Sequence, residues 1–119
     1  GYLNAIELLT LEHPPTAIFG GNRLITVGIL RAIRELKLRI PDDISVVSFD
    51  EVEDISVTNP FLTVISQNSY VMGVVATEQL LERIRGNNKS PEDLQEIVLQ
   101  PRLVIRKSCG SPKEEVMKE

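Results

Sequence analysis

Residues 15–50 read PTAIFGGNRLITVGILRAIRELKLRIPDDISVVSFD, and this stretch decides the fold. Thr16 to Gly20 is a short apolar run of strand type, and Gly21-Asn22 is a turn. From Arg23 to Leu38 apolar residues recur at Leu24, Val27 and Leu30 and at Ile25, Ile29, Ala32, Ile33 and Leu36, a wide face at helical spacing. Pro41-Asp42-Asp43 breaks the pattern, and Ile44 to Phe49 is a second strand, β-branched and largely apolar. Strand, helix and strand in this order make a parallel βαβ unit with a right-handed crossover. Strands that are apolar on both faces belong in a sheet covered by helices on each side. The expected fold class is therefore α/β, a parallel sheet flanked by helices.

Outward from this unit the signals are shorter. Tyr2 to Leu11 reads as a helix with Ile6, Leu8, Leu9 and Leu11 on its apolar side, and Pro14-Pro15 stops it. Asp50 to Asn59 is an acidic loop or short helical turn, closed by Pro60. Leu62 to Ser66 is a third strand, and Ser69 to Arg85 a second long helix carrying Val71, Met72, Val75, Ala76, Leu80, Leu81 and Ile84. Gly86 ends that helix, with Arg83 and Arg85 suited to the dipole of its last turn. Ile97-Val98-Leu99 and Leu103-Val104-Ile105 are two further strand candidates. Residues 110–119 form a polar tail.

Composition narrows the function. A length of 119 residues suits one domain, large enough to bury a core without staples. The net charge of −4, with no Lys/Arg cluster, argues against a grip on phosphate backbones. The single cysteine, Cys109, cannot close an internal disulfide and favours a reducing, cytoplasmic setting. No apolar run approaches the roughly 20 residues that span a bilayer. The chain lacks a starting Met and begins in a helix, which reads as a start in mid-protein.

In open parallel sheets ligands bind outside the carboxyl ends of the strands. Asn22 follows the first strand and Asp50 the second, so neighbouring strands about 4.8 Å apart would place both on one rim. A carboxylate accepts from adjacent hydroxyls, while an amide both donates and accepts, a pair suited to a polyhydroxylated ligand. Two plainer roles compete: Asn22 as N-cap of the helix from Arg23, and Asp50 as a solvated loop acid or a cap for a turn through Glu51 to Ile55. Other chemistry finds no support. Gly20-Gly21-Asn22 lacks the spacing of a dinucleotide fingerprint, and no phosphate-binding GxxxxGK[ST] occurs. His13 reads as a surface residue beside two prolines, with no triad partner. Cys109 has no zinc partners, and Asp50, Glu51, Glu53 and Asp54 lack the EF-hand pattern. No cofactor, metal or catalytic residue is expected, and the chain is not read as an enzyme.

Residues 15–22, the helix through Gly28-Ile29-Leu30-Arg31-Ala32-Ile33, and Ile40-Pro41-Asp42-Asp43 continuing to Asp50 together resemble the LacI/GalR repressor family. Pro60, Leu62-Thr63, Gln67, Met72-Gly73 and Leu103 to Ser108 continue the likeness, which covers nearly the whole chain up to Cys109. The resemblance implies a two-lobe type I periplasmic-binding-protein-like fold with the effector in the cleft. Residues 1–109 would be effector-binding and dimerisation domain: 1–66 and 102–109 in the C-terminal lobe, 69–100 in the N-terminal lobe. It implies effector contacts at Asn22, Asp50 and Gln67, the last near the hinge. It further implies a homodimer, with Val27, Arg31, Ile55 and Thr58 as interface residues. Operator DNA would be met only through an N-terminal headpiece outside this chain, and a sugar or related effector would bias the lobe arrangement and so the headpieces.

Several positions depart from the family pattern. Arg23 replaces an acid, Lys37 a glycine, Ser48 a glycine and Val64 a threonine. Two readings of Arg23 stand: beside the cleft it would favour an anionic effector such as a sugar phosphate or sugar acid, and otherwise it faces solvent or a partner subunit. The helix from Ser69, short of partners here, would add self-association. Two alternative functions are a secreted, periplasmic sugar-binding protein of the same fold and a metal-dependent phosphoacceptor using Asp50 with Asp42 and Asp43. The second has poor geometry, because Asp42 and Asp43 precede the strand that Asp50 follows.

Overall fold

In chain order the elements are α1 (Tyr2–Leu9), β1 (Ala17–Gly20), α2 (Arg23–Glu35), β2 (Ser45–Phe49), β3 (Thr63–Ser66), α3 (Ser69–Ile84) and β4 (Arg102–Val104). They come from a computed structural model that describes residues 1–52, 61–86 and 96–112. The sheet order is β1-β2-β3-β4. β1 and β2 pair in parallel from Ala17 opposite Ser45 to Gly20 opposite Ser48, and β2 and β3 pair in parallel from Val47 opposite Thr63 to Phe49 opposite Ile65. The fold is α/β, with the crossover helix α2 between its two parallel strands.

The chain divides into two compact units, Gly1–Ser66 with Leu103–Glu119, and Gln67–Arg102. The first holds the core: Ala5 and Leu9 of α1, Ile29, Ala32 and Ile33 of α2, Val46 and Val64 of the sheet, and Ile44, Val52 and Leu62 beside the strands. Burying an isoleucine such as Ile29 or Ile33 removes enough apolar surface to stabilise the fold by about 2–3 kcal/mol. α1 lies on α2 closely enough that a Cβ on Gly28 would stand 2.6 Å from the Tyr2 backbone nitrogen, so only glycine admits that approach. The edge of this helix pair is polar. The Tyr2 hydroxyl donates to Glu35, Arg31 Nε donates to Glu35 at 3.1 Å, and the Arg31 guanidinium stacks 4.8 Å over the Tyr2 ring. Those donors hold the Glu35 carboxyl below its ordinary range.

α2 ends earlier than its periodicity implies, at Glu35 rather than Leu38. Lys37 takes φ +56°, the left-handed turn for which glycine is the easier residue. The segment after β4 then fastens the sheet. Ser108 is fully buried; its hydroxyl donates to the Val46 carbonyl at 2.6 Å and accepts from the Thr63 amide at 2.7 Å, bridging β2 and β3.

The second unit is different in kind. α3 has an Asn68 N-cap that accepts from the Val71 amide at 3.3 Å, yet it has no buried residue. The apolar run at Ile97-Val98-Leu99 is irregular rather than a strand, with Ile97 and Val98 exposed. β-branched composition expresses strand propensity, but a strand also needs a neighbour for its backbone groups. Among the described residues no helix is long and apolar enough to cross a membrane.

Candidate functional site

The carboxyl edge of the parallel sheet is where the strands release Asn22 and Asp50. The last residues that β1 and β2 pair with each other are Gly20 and Ser48. Asn22 lies two residues beyond the first and Asp50 two beyond the second, so the two arrive at the same edge on adjacent strands.

Asn22 is exposed and serves as N-cap of α2. Its Oδ1 accepts from the Ile25 amide at 2.9 Å, while its backbone carbonyl receives the Thr26 amide at 2.9 Å. The capping role read from the sequence is therefore real. It uses the amide oxygen; the Nδ2 group is a separate donor that a ligand can engage. Asp50 is half-buried and holds φ +69°, a conformation that Asp tolerates better than most residues. Its amide donates to the Ile65 carbonyl at 2.9 Å, so β3 pins the turn that presents it.

The residue next to Asp50 supplies a second anchor. Arg106 grips Glu51 through its two terminal guanidinium nitrogens, at 2.9 and 2.6 Å, and donates to the Leu62 carbonyl at 2.9 Å. The hydrogen-bonded guanidinium holds the Glu51 carboxyl below the usual carboxylate range. This forked pair links the Asp50 turn to the segment that follows β4. Nothing in the local sequence announces it, because Glu51 and Arg106 are 55 positions apart. Thr26 and Ser48, both fully buried, were likewise not singled out by hydrophobic periodicity; their hydroxyls meet at 2.9 Å beneath this edge.

The other residues of interest are distributed elsewhere. Gln67 is half-buried and opens the second unit. Val27 is exposed on α2 and, with Leu30, Leu38, Ile40, Phe61 and Arg31, lines an apolar groove of about 620 Å³. That groove is not the polar site: Leu38 and Ile40 precede β2, whereas Asp50 follows it. Ile55 and Thr58 lie outside the described residues, as do Glu53 and Asp54. Asp42 and Asp43 also precede β2, and both contact Arg39, at 3.5 and 3.0 Å. They are thus separated along the strand from Asp50. Among the described residues no group of three or more His, Cys, Asp or Glu side chains could hold a metal ion. An amide and a carboxylate at one sheet edge are groups that can exchange hydrogen bonds with the hydroxyls of a small molecule.

A parallel βαβ unit with polar residues at its carboxyl edge defines half of a Rossmann-like binding lobe. Comparison with known proteins gives this class a family. The family model of the periplasmic binding protein-like domain matches residues 3–109. The HTH-type transcriptional repressor PurR of Yersinia enterocolitica is 39% identical over 110 residues, a match covering 92% of this chain and 31% of the repressor. Among solved structures, a LacI family transcriptional regulator from Enterococcus faecium with bound ribose superposes with a TM-score of 0.77 at 29% identity, covering 91% of this chain and 38% of that one. A dimeric Lac repressor with a C-terminal deletion gives a TM-score of 0.78 at 32% identity, covering 93% and 40%. The chain belongs to the LacI family of transcriptional regulators, within their periplasmic binding protein-like effector-binding domain. It spans about a third of the length of the curated relatives it matches, and those relatives are named as repressors, not enzymes.

Proposed function

We propose that this chain is the effector-sensing and dimerisation portion of a LacI-type repressor that works in the cytoplasm, and that its effector is a sugar or sugar derivative held by Asn22, Asp50 and Gln67. The observation that carries the reading is the parallel register that brings Asn22 and Asp50 to one carboxyl edge. The ribose bound by the Enterococcus faecium regulator supports the ligand class. On this reading residues 1–66 and 102–109 serve one lobe and 69–100 the other, with Gln67 at the crossing. Effector binding then shifts the lobe arrangement and, through it, the spacing of DNA-binding headpieces. Arg23, exposed at the first position of α2, would favour acidic or phosphorylated sugars over neutral ones.

Calorimetric titration of the intact protein with neutral sugars, sugar acids and sugar phosphates tests this. One class binds, and Asp50→Ala weakens that binding about 10–100-fold, the loss expected when a ligand hydroxyl is left without its charged acceptor. Equal affinity in Asp50→Ala overturns the site; binding of neutral sugars alone removes the role of Arg23. The apolar groove beside Val27 is the seat for the second subunit, in keeping with the dimeric Lac repressor among the similar structures. A charge placed there in Val27→Glu yields monomers by sedimentation if the groove is the interface, and unchanged dimers if it is not.

A further inference from the structure

We propose that Ser48 and Thr26 are positioning residues that lock the two arms of the candidate site together, an inference that rests on reading Asn22 and Asp50 as those arms. Thr26 stands one turn into α2 and Ser48 near the end of β2, and both are fully buried. Their hydroxyl oxygens lie 2.9 Å apart. Thr26 Oγ1 is also 2.8 Å from the Asn22 carbonyl, which can only accept. A threonine has one hydroxyl proton, and of the two carbonyls in reach Asn22 at 2.8 Å is much nearer than Gly20 at 3.5 Å, so that proton goes to Asn22 and Ser48 is the donor to Thr26. The other contact of Ser48, to the Phe49 carbonyl, is longer at 3.3 Å. The outcome is an oriented relay from Ser48 through Thr26 to the backbone of Asn22. It joins the strand that leads into Asp50 to the turn that carries Asn22.

The neighbourhood is shaped around this relay. A Cβ on Gly20 would stand 2.1 Å from Thr26 Oγ1. The threonine hydroxyl therefore occupies the volume of a side chain at the last residue of β1. Serine at position 48 then acquires a reason: it supplies the donor that lets the Thr26 hydroxyl stay buried with its hydrogen bonds made. Among the described residues no buried side-chain nitrogen or oxygen lacks a partner. Gly20, Thr26 and Ser48 thus form one coupled set under the site.

Amide hydrogen exchange of the intact protein, followed by mass spectrometry, tests the relay with Thr26→Val, Thr26→Ser and Ser48→Ala. In Thr26→Val and Ser48→Ala, peptides containing the Asn22 turn exchange about tenfold faster, while those from the rest of α2 and from Ser45 to Val47 keep their protection. Thr26→Ser, which retains the hydroxyl, restores the wild-type rate. Uniformly faster exchange across α2 and β2, or unchanged exchange at the Asn22 turn, overturns the proposal. Should Thr26→Val fail to fold, Ser48→Ala alone decides, since it removes one donor and leaves the Thr26 bond to Asn22. These rates involve no ligand, so loss of the effector reading, shown by undiminished sugar binding in Asp50→Ala, is a separate result.

Discussion

α2 and α3 obey the same local rules and meet different fates. Each begins at an asparagine whose side chain accepts from the amide three residues on: Asn22 from Ile25 and Asn68 from Val71. Each has an arginine in its last turn and is followed by a residue of positive φ, Lys37 at +56° and Gly86 at +82°. Yet α2 buries Thr26, Ile29, Ala32 and Ile33, and α3 buries none. Caps and termination signals set where a helix starts and stops. Burial is set by what lies against it, and for α2 that is α1 and a parallel sheet supplied by the same unit.

The largest expected effect contrasts the core of the first unit with the exposed helix of the second. Ile33→Ala, at a residue 2% exposed, lowers the unfolding free energy of the 119-residue chain by about 2–5 kcal/mol in denaturant titration. Leu81→Ala, at a residue 42% exposed, changes it by less than about 1 kcal/mol. On the two-lobe proposal the cost of Leu81→Ala rises in the intact protein; an equal cost in both would break that part of the comparison. Next in size is Gly28→Ala, where the new Cβ meets the backbone of α1. It costs about 1–3 kcal/mol by forced overpacking, read as a lowered melting temperature. At Gly73 in α3 an added Cβ would meet nothing within 4 Å, so that open position accepts alanine without the penalty.

The caps come third. Asn22→Ala and Asn68→Ala each cost about 1 kcal/mol of stability in thermal unfolding. Asn22→Asp keeps the capping oxygen but removes the amide donor, so stability survives while sugar affinity falls. Smallest is the clamp at Glu51. Its carboxyl lies below the ordinary range when folded, so its contribution is present above the unfolded value of about 4.3 and fades as pH falls through the lower folded value. Glu51→Gln removes about 0.5 kcal/mol at pH 7, since both partners keep some solvent contact, and flattens the acid limb of the stability profile.

Much of the first unit was legible in the sequence. The β1-α2-β2 order follows from apolar periodicity and the two breaks that punctuate it, and Asn22 and Asp50 follow from the rule for carboxyl ends of parallel strands. The left-handed turn at Lys37 was readable as a place that favours glycine. What stayed hidden depends on contacts between distant positions. Thr26 looks polar by type, yet it is buried with its hydroxyl 2.9 Å from that of Ser48, and Arg106 meets Glu51 across 55 positions of sequence. The strand expected at Ile97 failed for the converse reason, since its composition carries a propensity without naming a partner.

A crystal structure of the intact protein with the sugar that binds most tightly in the calorimetric panel tests the central claim directly. The account predicts sugar hydroxyls within about 3 Å of both the Asn22 amide nitrogen and the Asp50 carboxylate. A sugar seated against Val27 and Phe61, or anywhere else with neither Asn22 nor Asp50 in contact, would contradict it.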